Sequence, residues 1–236
     1  MTDEQIRRRV RAAIRDYGLI APGDHVVAGL SGGKDSLALV ELLGDWRRCH
    51  NRNFRLTAVH ICMPQAGYRS DTAYLSDFCA AAGVDFRAVE ARFEPDRNPR
   101  RSPCFLCSWT RRKSLFQFAR ENGVNKIAFG HHEDDILRTA LMNLTFSGSF
   151  STMPVRLAMR KFPVSLIRPL CRVGEAALSE MAARHGYRPV DKRCPHDQAG
   201  KRRDIAALFR EAERQNPDFR HSLWHALEAA GKLVEE

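Results

Sequence analysis

The sequence predicts an α/β fold, a doubly wound and mostly parallel sheet with a helical C-terminal extension. Short apolar runs of β type alternate with helical patterns from residue 25 to residue 146, and this alternation is typical of a parallel sheet covered by helices. After residue 147 helical patterns dominate. Ligands bind such sheets at the carboxyl ends of the strands. We therefore expect the functional residues just after the predicted strands.

The elements follow one another in a regular order. The first is a basic amphipathic helix at residues 3–17. The α/β part contains four strands, at 25–30, 54–61, 84–91 and 126–129. Its helices are predicted at 34–49, 71–82, 104–122 and 132–146. Residues 92–103, rich in Pro, Arg and Asn, are a predicted loop. Residues 155–168 form a hairpin or a strand that enters the sheet, and the last helices are predicted at 173–186, 199–215 and 217–230.

Length and composition fit one large domain with an appendage. The 236 residues are 44% hydrophobic, which is enough for a sizeable core. We predict three segments: a basic helix at 1–20, an α/β domain at 21–172 and a helical region at 173–236. No stretch approaches the roughly 20 apolar residues of a membrane span. The first residues lack the pattern of a secretory signal, so a cytoplasmic protein without a membrane anchor is expected.

The charge of the chain indicates the kind of partner. The formal net charge is +10, which suggests a polyanion, and nucleic acid is the usual one. The alternative is a basic protein with no such partner. The seven cysteines are an odd number in a chain without a secretion signal, so a disulfide framework is not expected.

A glycine-rich turn follows the first predicted strand and opens a helix. It reads Ser31-Gly32-Gly33-Lys34-Asp35-Ser36. Glycines let the backbone approach an anion closely, and the helix N-terminus attracts negative charge. Lys34 adds a mobile positive charge, and the hydroxyls of Ser31 and Ser36 can donate to phosphate. A carboxylate among phosphates repels them unless it holds Mg²⁺, so Asp35 is predicted to bind the metal or to lie at the reacting centre.

This loop resembles that of the PP-loop ATP pyrophosphatases. The Walker pattern GxxxxGK[ST] and the dinucleotide pattern GxGxxG are both absent. The resemblance implies a strand-to-helix loop that binds ATP, cleavage of ATP to AMP and pyrophosphate, and adenylation of an acceptor. It also implies the fold of the PP-loop, or adenine nucleotide α-hydrolase-like, class. His60, at the end of the second strand, is a further predicted ATP-binding residue.

A second polar cluster follows the strand at 126–129. It reads Gly130-His131-His132-Glu133-Asp134-Asp135 and resembles the GHxxDD segment of PP-loop enzymes that modify tRNA. Gly130 and His131 are predicted to contact ATP, and Asp134 and Asp135 to be catalytic or to bind Mg²⁺. The alternative for the two aspartates is that they only favour a helix N-terminus.

Three cysteines form a candidate metal centre. Cys104 and Cys107 are a CxxC pair at a predicted helix start, and Cys194 lies in Arg193-Cys194-Pro195-His196. Three thiolates with an open fourth position suit a 4Fe–4S cluster. The alternatives are a redox pair, a Cys₃His zinc site that uses His196, or a Cys₄ zinc site with Cys171 as fourth ligand.

The order of these motifs narrows the resemblance to the tRNA 2-thiocytidine synthetases. In chain order they are SGGKDS, CxxC, GHHxDD, the tripeptide Arg168-Pro169-Leu170 and a lone cysteine, within about residues 24–220. The resemblance implies that Cys104, Cys107 and Cys194 hold a 4Fe–4S cluster and that ATP activates cytidine 32 of tRNA. Sulfur then replaces the activated oxygen. It further implies a sulfur donor, either a cysteine desulfurase or sulfide, and a homodimer.

Basic runs flank the cysteines. Arg111, Arg112 and Lys113 follow the CxxC pair, and Arg202 and Arg203 follow Cys194. Each run alone is most often a solvated face, but around one site they predict salt-dependent binding of a tRNA backbone. Trp109 and Phe105 are candidates to stack an extruded base, but core packing is the preferred role for Phe105.

Three other functions remain open on the sequence. The first is a tRNA 2-thiouridine synthetase that acts at another position. The second is a PP-loop amidating or lysidine-type ligase in which the cysteines bind structural zinc. The third is a non-catalytic RNA-binding protein with a relict ATP site, against which the intact SGGKDS loop argues.

Overall fold

The structure, a computed structural model, describes residues 1–49, 53–64, 70–92, 103–190 and 200–236, with the backbone alone at 103, 104 and 200–203. The helices of this part are α1 (Asp3–Asp16), α2 (Lys34–Cys49), α3 (Thr72–Ala81), α4 (Pro103–Glu121), α5 (Glu133–Ser147), α6 (Glu175–Arg184), α7 (Gly200–Gln215) and α8 (Phe219–Ala229). The strands are β1 (His25–Gly29), β2 (Arg55–Cys62), β3 (Asp85–Glu90), β4 (Lys126–Ala128), β5 (Arg156–Ala158), β6 (Ser165–Ile167) and β7 (Val234–Glu235). The predicted elements and their order are confirmed, and β7 is an addition. Most of the predicted 92–103 loop lies outside the described residues.

The described strands form one mostly parallel sheet in the order β3-β2-β1-β4-β6-β5-β7. All neighbours run parallel except β5 and β6, which are antiparallel. The predicted hairpin and the predicted strand at 155–168 are therefore both present. From β1 the chain goes to β2 on one side and later returns to β4 on the other, so the strand order reverses between β1 and β4. Crevices at such reversals are where open α/β sheets bind ligands.

The two faces of the sheet are covered differently. Val26 and Ala28 of β1 belong to the larger core, to which α1, α2, α3, α5 and α6 also contribute. Val27, between them, faces the other way and belongs to a smaller core with Leu115 and Ala119 of α4. This alternation follows from the period of two along a strand. Among the described helices, α4 alone supplies buried residues to the second core.

Residues from all three predicted segments contribute to the larger core. Ile6 of α1, Leu37 of α2, Leu178 of α6, Phe209 of α7 and Leu227 of α8 are all buried in it. In α2 the predicted apolar face is correct, since its residues at helical spacing are buried. The C-terminal helices are thus part of the same hydrophobic cluster as the sheet. The boundaries at residues 20 and 172 stay a prediction.

Residues 185–190, which follow α6, are fixed to three other elements. The hydroxyl of Tyr187 donates to Glu41 Oε2 of α2 at 2.8 Å, and its ring meets the ring of Phe78 edge-on. The amide of Val190 donates to the carbonyl of Gly32 at 2.8 Å. This 185–190 segment therefore ends on the glycine-rich loop, four residues before Cys194 in the sequence.

His185 begins this segment and joins it to α1 and α2. Its Nε2 lies 2.9 Å from Asp3 Oδ2 and its Nδ1 lies 2.8 Å from Glu41 Oε1. The hydrogen bond to Asp3 is the main cause of a raised pKa for His185. Because the pKa of folded His185 is raised, its stabilisation is complete below the ordinary histidine pKa and is lost as the pH rises through the raised value.

We therefore expect His185→Gln to lower the melting temperature more at pH 6 than at pH 9. An ion pair of this exposure is worth about 1 kcal/mol, which corresponds to about 2–4 °C for a chain of this size. Thermal unfolding followed by circular dichroism at both pH values measures the difference. His221→Gln, at an exposed position of α8, is the control. Equal losses for His185→Gln at both pH values would contradict the prediction.

Among the described residues, none of the helices has both the length and the apolar composition of a membrane span.

Candidate functional site

The glycine-rich loop connects β1 to the N-terminus of α2. Gly32 has φ +80°, a left-handed conformation that side chains rarely adopt, so glycine is required there. The hydroxyl of Ser36 donates to the carbonyl of Gly33 at 2.8 Å, and the hydroxyl of Ser31 lies 3.2 Å from that of Ser36. The two serines thus hold the turn. The loop ends at a helix N-terminus, which is a favourable place for an anion.

Lys34 and Asp35 are paired at the start of α2. Lys34 Nζ lies 2.8 Å from Asp35 Oδ1 and 3.8 Å from Glu175 Oε1, the first residue of α6. The three side chains are only partly buried. One ammonium and two carboxylates therefore meet beside the glycine-rich loop. Glu175 was not predicted from the sequence.

The second predicted cluster lies against the first. A Cβ on Gly130 would come within 2.9 Å of the carbonyl oxygen of Asp35, so only glycine permits this approach of the two backbones. His131, next in the chain, is 5.7 Å from Phe129 between ring centroids. Burial, followed by the positive charge of Arg168, lowers the pKa of His131 to about 4. His131 is therefore a neutral imidazole at pH 7 beside the loop.

Asp134 and Asp135 have different surroundings. Asp135 Oδ2 accepts the backbone N–H of His132 at 3.0 Å, which caps the N-terminus of α5. Asp134 is 2% exposed and accepts the amide of Glu175 at 2.7 Å, which fixes the start of α6. Hydrogen bonds from Arg220 and Glu175 outweigh the effect of burial and lower the pKa of Asp134. These contacts give both aspartates a structural role, at the N-termini of α5 and α6. Their catalytic role stays a prediction.

An ion-pair network continues from Asp134 into the C-terminal helices. Arg138 of α5 lies 3.3 Å from Asp134 Oδ1 and 3.1 Å from Glu175 Oε2. Arg220 of α8 lies 2.5 Å from Asp134 Oδ1 and 2.9 Å from Glu133 Oε2, and it also pairs with Glu213. Because Glu175 also meets Lys34, the network joins the glycine-rich loop to α8. Arg138 is four residues from Asp134, a spacing at which helical side chains pair, whereas Arg220 reaches Asp134 from 86 positions along the chain and has no local signal in the sequence.

We expect Asp134→Asn to lower the free energy of unfolding by about 2 kcal/mol, because Arg138 and Arg220 lose their buried counter-charge while the amide bond to Glu175 can persist. Urea denaturation measures this loss. Asp204→Asn, on the exposed side of α7, is the control and should change stability by less than about 0.5 kcal/mol. Unchanged stability together with lost activity would instead assign Asp134 to the chemistry.

A pocket of about 150 Å³ opens beside the loop at the carboxyl ends of the strands. Its walls come from the ends of β1, β2 and β4 and from α4, and the lining residues include Leu30, Ser31, His60, Arg111, Arg112, Leu115 and Phe129. The Nδ1 atom of His60 lies 2.7 Å from the carbonyl oxygen of Leu30, which ties the ends of β1 and β2 together. The lining is mostly apolar, and its polar side chains are those of Ser31, His60, Arg111 and Arg112. The predicted ATP residue His60 is thus part of the pocket wall.

Helix α4 supplies the fourth wall. Arg111 and Arg112 line the pocket, and Arg111 Nε lies 3.3 Å from Met63 Sδ. Lys113 instead lies on the outside, with Nζ 5.1 Å from the centre of the Trp109 ring. The three residues were predicted together as tRNA contacts. The structure places two of them at the pocket and one on the opposite side of the helix, and their contact with RNA stays a prediction.

Only part of the predicted cysteine centre lies in the described chain. Cys107 is half-buried in α4, one turn before Arg111, so both occupy the same side of the helix. Cys104 belongs to the first turn of α4, three residues before Cys107. Cys194 and His196 lie outside the described residues. Within those residues no group of three or more His, Cys, Asp or Glu could hold a metal ion.

Cys171 is unsuited to the alternative zinc site. It is fully buried in the larger core, and burial raises the pKa of its thiol to about 12. A metal ligand must be a thiolate, which this environment strongly disfavours. Cys171 is therefore a core residue. Arg202 and Arg203 lie in the first turns of α7, where the backbone alone is described.

Comparison with known proteins agrees with this geometry. A family model described as a PP-loop domain matches residues 2–205. The tRNA-cytidine(32) 2-sulfurtransferase of Bdellovibrio bacteriovorus is 34% identical over 223 residues, which are 93% of this chain and 85% of that protein. The enzyme of the same name from Sorangium cellulosum is also 34% identical, over 94% of this chain and 80% of its own.

A solved structure is similar over nearly the whole chain. It is the U34-tRNA thiolase NcsA from Methanococcus maripaludis with its [4Fe-4S] cluster, with a TM-score of 0.80 and 25% identity. The similarity covers 96% of this chain and 78% of that one.

Proposed function

Because the chain belongs to the PP-loop family, together with the tRNA-cytidine(32) 2-sulfurtransferases, we propose that it is an ATP-dependent tRNA sulfurtransferase that converts cytidine 32 to 2-thiocytidine. One observation supports this most directly. The glycine-rich loop and helix α4, which bears Cys107, line the same pocket. A site that activates an oxygen with ATP and a site that delivers sulfur must be adjacent, because one base has to react at both.

ATP would bind with its phosphates on residues 31–36 and its adenine in the pocket beside them. The apolar walls formed by Leu30 and Phe129 suit a flat aromatic base, and the ends of β1 and β2 supply polar backbone groups. His131 is neutral, so it can donate one hydrogen bond to a phosphate without adding charge. Ser31 lies both in the loop and in the pocket lining, which is where base and phosphates must join.

In the first step the O2 oxygen of cytidine attacks the α-phosphorus of ATP, and pyrophosphate leaves. Lys34 would stabilise the negative charge that develops on the phosphate oxygens. Arg111, on the pocket wall, would add a second positive charge at the α-phosphate side. In the second step sulfide attacks C2 of the adenylated base, and AMP leaves with the former O2.

A magnesium ion fits the carboxylates beside the loop. Asp35 and Glu175 both approach Lys34 Nζ, so their oxygens converge at the place where the phosphates would lie. Carboxylate and phosphate oxygens are the ligands that Mg²⁺ prefers. We propose that Asp35 holds the ion, and that Glu175 is an additional candidate. Bound Mg²⁺ would withdraw charge from the phosphates and so favour the departure of pyrophosphate.

The cysteines fit a 4Fe–4S cluster in two respects. Residues 104 and 107 are separated by one helical turn, which is the spacing of two ligands on one side of a helix. Val190 is hydrogen-bonded to Gly32 of the glycine-rich loop, and Cys194 follows four residues later in the sequence, outside the described residues. A cluster with three cysteine ligands supplies an open iron position, where a sulfur can be held for transfer.

The tRNA is the proposed macromolecular partner, and Arg111, Arg112, Lys113, Arg202 and Arg203 stay predicted contacts. A sulfur donor is required by the atom balance, because the tRNA and ATP supply no sulfur. The desulfurase or sulfide source, the homodimer and the cytoplasmic location also stay predictions.

Analysis of nucleosides tests the proposal. A deletion strain should lose 2-thiocytidine from its tRNA, and the wild-type gene should restore it. Protein purified without oxygen should contain about four iron atoms per chain and little zinc, as a 4Fe–4S cluster requires. A loss of thiouridine instead would favour the alternative position, and a colourless zinc protein with unchanged thionucleosides would exclude the proposed chemistry.

A further inference from the structure

Helix α4 has two sides with different surroundings. One side carries Cys107, Arg111 and Leu115 at intervals of four residues, and the last two line the pocket. The opposite side carries Phe105 and Trp109, which are 40% and 49% exposed. They are also four residues apart, so they are neighbours on the helix surface. Two large aromatic side chains are therefore presented to solvent beside the proposed site.

The charge around these aromatic residues is positive. The ammonium of Lys113 lies 5.1 Å from the ring centre of Trp109, a cation–π geometry. Along α4 the basic residues are Arg111, Arg112, Lys113 and Arg120, whereas the one acidic residue, Glu121, is at the last position. A single exposed hydrophobic residue needs no explanation. Exposed aromatic rings combined with a basic helix are the arrangement that binds single-stranded nucleic acid by stacking.

We propose that Trp109 stacks an unpaired base of the tRNA next to the target cytidine, with Lys113 against the adjoining phosphate. This inference rests on the proposed function. The occupant is RNA because the surface is basic and aromatic, and the helix carrying it forms a wall of the proposed ATP pocket. Core packing, the role preferred for Phe105 on the sequence, is wrong, because this residue is 40% exposed.

The position of Trp109 determines which base it binds. Trp109 and Arg111 are two residues apart, so they lie about 200° apart around the helix, and a helix with its side chains is about 10–12 Å wide. A base that reacts on the pocket side of α4 cannot also reach the outer ring. Trp109 therefore binds a flanking base while the target base lies at the reacting centre on the pocket side, which revises the expectation that it stacks the extruded base itself.

Fluorescence of Trp109 tests the contact directly. The other two tryptophans are Trp46 and Trp224, both partly buried against the larger core, so Trp46→Phe and Trp224→Phe leave Trp109 as the single reporter. Titration with an anticodon stem-loop should quench this emission and protect it from iodide. Two further stem-loops each carry one abasic nucleotide, one on the 5′ side and the other on the 3′ side of the target. One of the two should quench the emission less, because it lacks the base that stacks on Trp109. Unchanged emission at saturating RNA would overturn the proposal.

The affinity of the protein for the stem-loop RNA is the second measurement. Trp109→Ala should weaken stem-loop binding about 5- to 150-fold, the range for loss of one stacked base, while Trp109→Phe should retain most of the affinity. ATP binding should be unchanged in both variants. The abasic RNA that abolishes quenching should lose little further affinity in Trp109→Ala, because both changes remove the same contact.

The RNA-binding results distinguish a wrong stacking contact from a wrong proposed function. If wild-type protein does not bind the stem-loop at any concentration, the proposed function fails. If Trp109→Ala binds RNA like wild type, the function stands and the stacking contact is excluded. If Trp109 emission responds to protein concentration rather than to RNA, the surface is a contact between copies of the chain, and the proposal is wrong.

Discussion

Replacing Lys34 with Met should reduce ATP-dependent release of pyrophosphate by about 10²–10³-fold in the presence of tRNA. The substitution keeps an unbranched side chain that is one atom shorter and removes its charge. It leaves Asp35 and Glu175, whose oxygens lie 2.8 and 3.8 Å from the ammonium, without their shared cation. Less positive charge would then offset the carboxylates and the phosphates, so we expect both weaker ATP binding and slower adenylation.

The measurement is steady-state pyrophosphate release, together with ATP affinity by calorimetry. Lys34→Arg should be intermediate, because it retains the charge but not the compact ammonium. Lys161→Met, in the exposed turn between β5 and β6, is the matched control and should behave like wild type. Thermal stability should be unaffected. If Lys34→Met keeps activity within about threefold, a charge at this position is not used in the chemistry.

Replacing Gly32 with Ala should weaken ATP binding by about 100-fold or more. Two effects act together. The φ of +80° costs a non-glycine residue about 1–2 kcal/mol. The new Cβ would also lie 2.7 Å from Cγ2 of Val190, so either the loop or the 185–190 segment must move. Both displacements change the anion site, because Val190 is hydrogen-bonded to the carbonyl of Gly32.

A double variant separates these two effects. Val190→Ala removes the clashing methyl group, so Gly32→Ala/Val190→Ala should recover about tenfold in ATP affinity over Gly32→Ala, while the backbone strain remains. Val190→Ala alone should change ATP affinity by less than about threefold, since its backbone hydrogen bond is retained. Calorimetric titration with ATP measures all four proteins. Strictly additive effects would show that the contact between Gly32 and Val190 does not limit binding.

The sequence predicts most of the fold because its local signals agree. The limits of α2 are those predicted, since the glycine-rich turn fixes its start and Leu37, Val40 and Leu43 mark its buried face. The close contact of Gly130 with the backbone of Asp35 also follows from strand order, because β1 and β4 are neighbours in a parallel sheet. The strand β7 has only two residues, too few for a periodic pattern.

The site is less predictable where it depends on distant pairs or on helix geometry. Glu175 contacts Lys34 across 141 positions of the chain, and Arg220 contacts Asp134 across 86. No local sequence pattern predicts pairs between such distant residues. The basic run after the CxxC motif looks like one patch in the sequence. On a helix each residue turns by about 100°, so Arg111 faces the pocket while Lys113 faces outward.

The same geometry makes α4 the element that would set the distances between the proposed sites for sulfur, nucleotide and RNA. Each residue inserted between Cys107 and Arg111 would advance the helix by about 1.5 Å and rotate it by about 100°. One inserted residue would therefore turn the cysteines away from the pocket, whereas four would nearly restore their direction at about 6 Å greater separation. One rigid helix therefore holds Cys107, the pocket-lining Arg111 and the exposed Trp109 at fixed distances from one another. Changes in the length of this helix should be tolerated only in steps of whole turns, and even then at the expense of sulfur transfer.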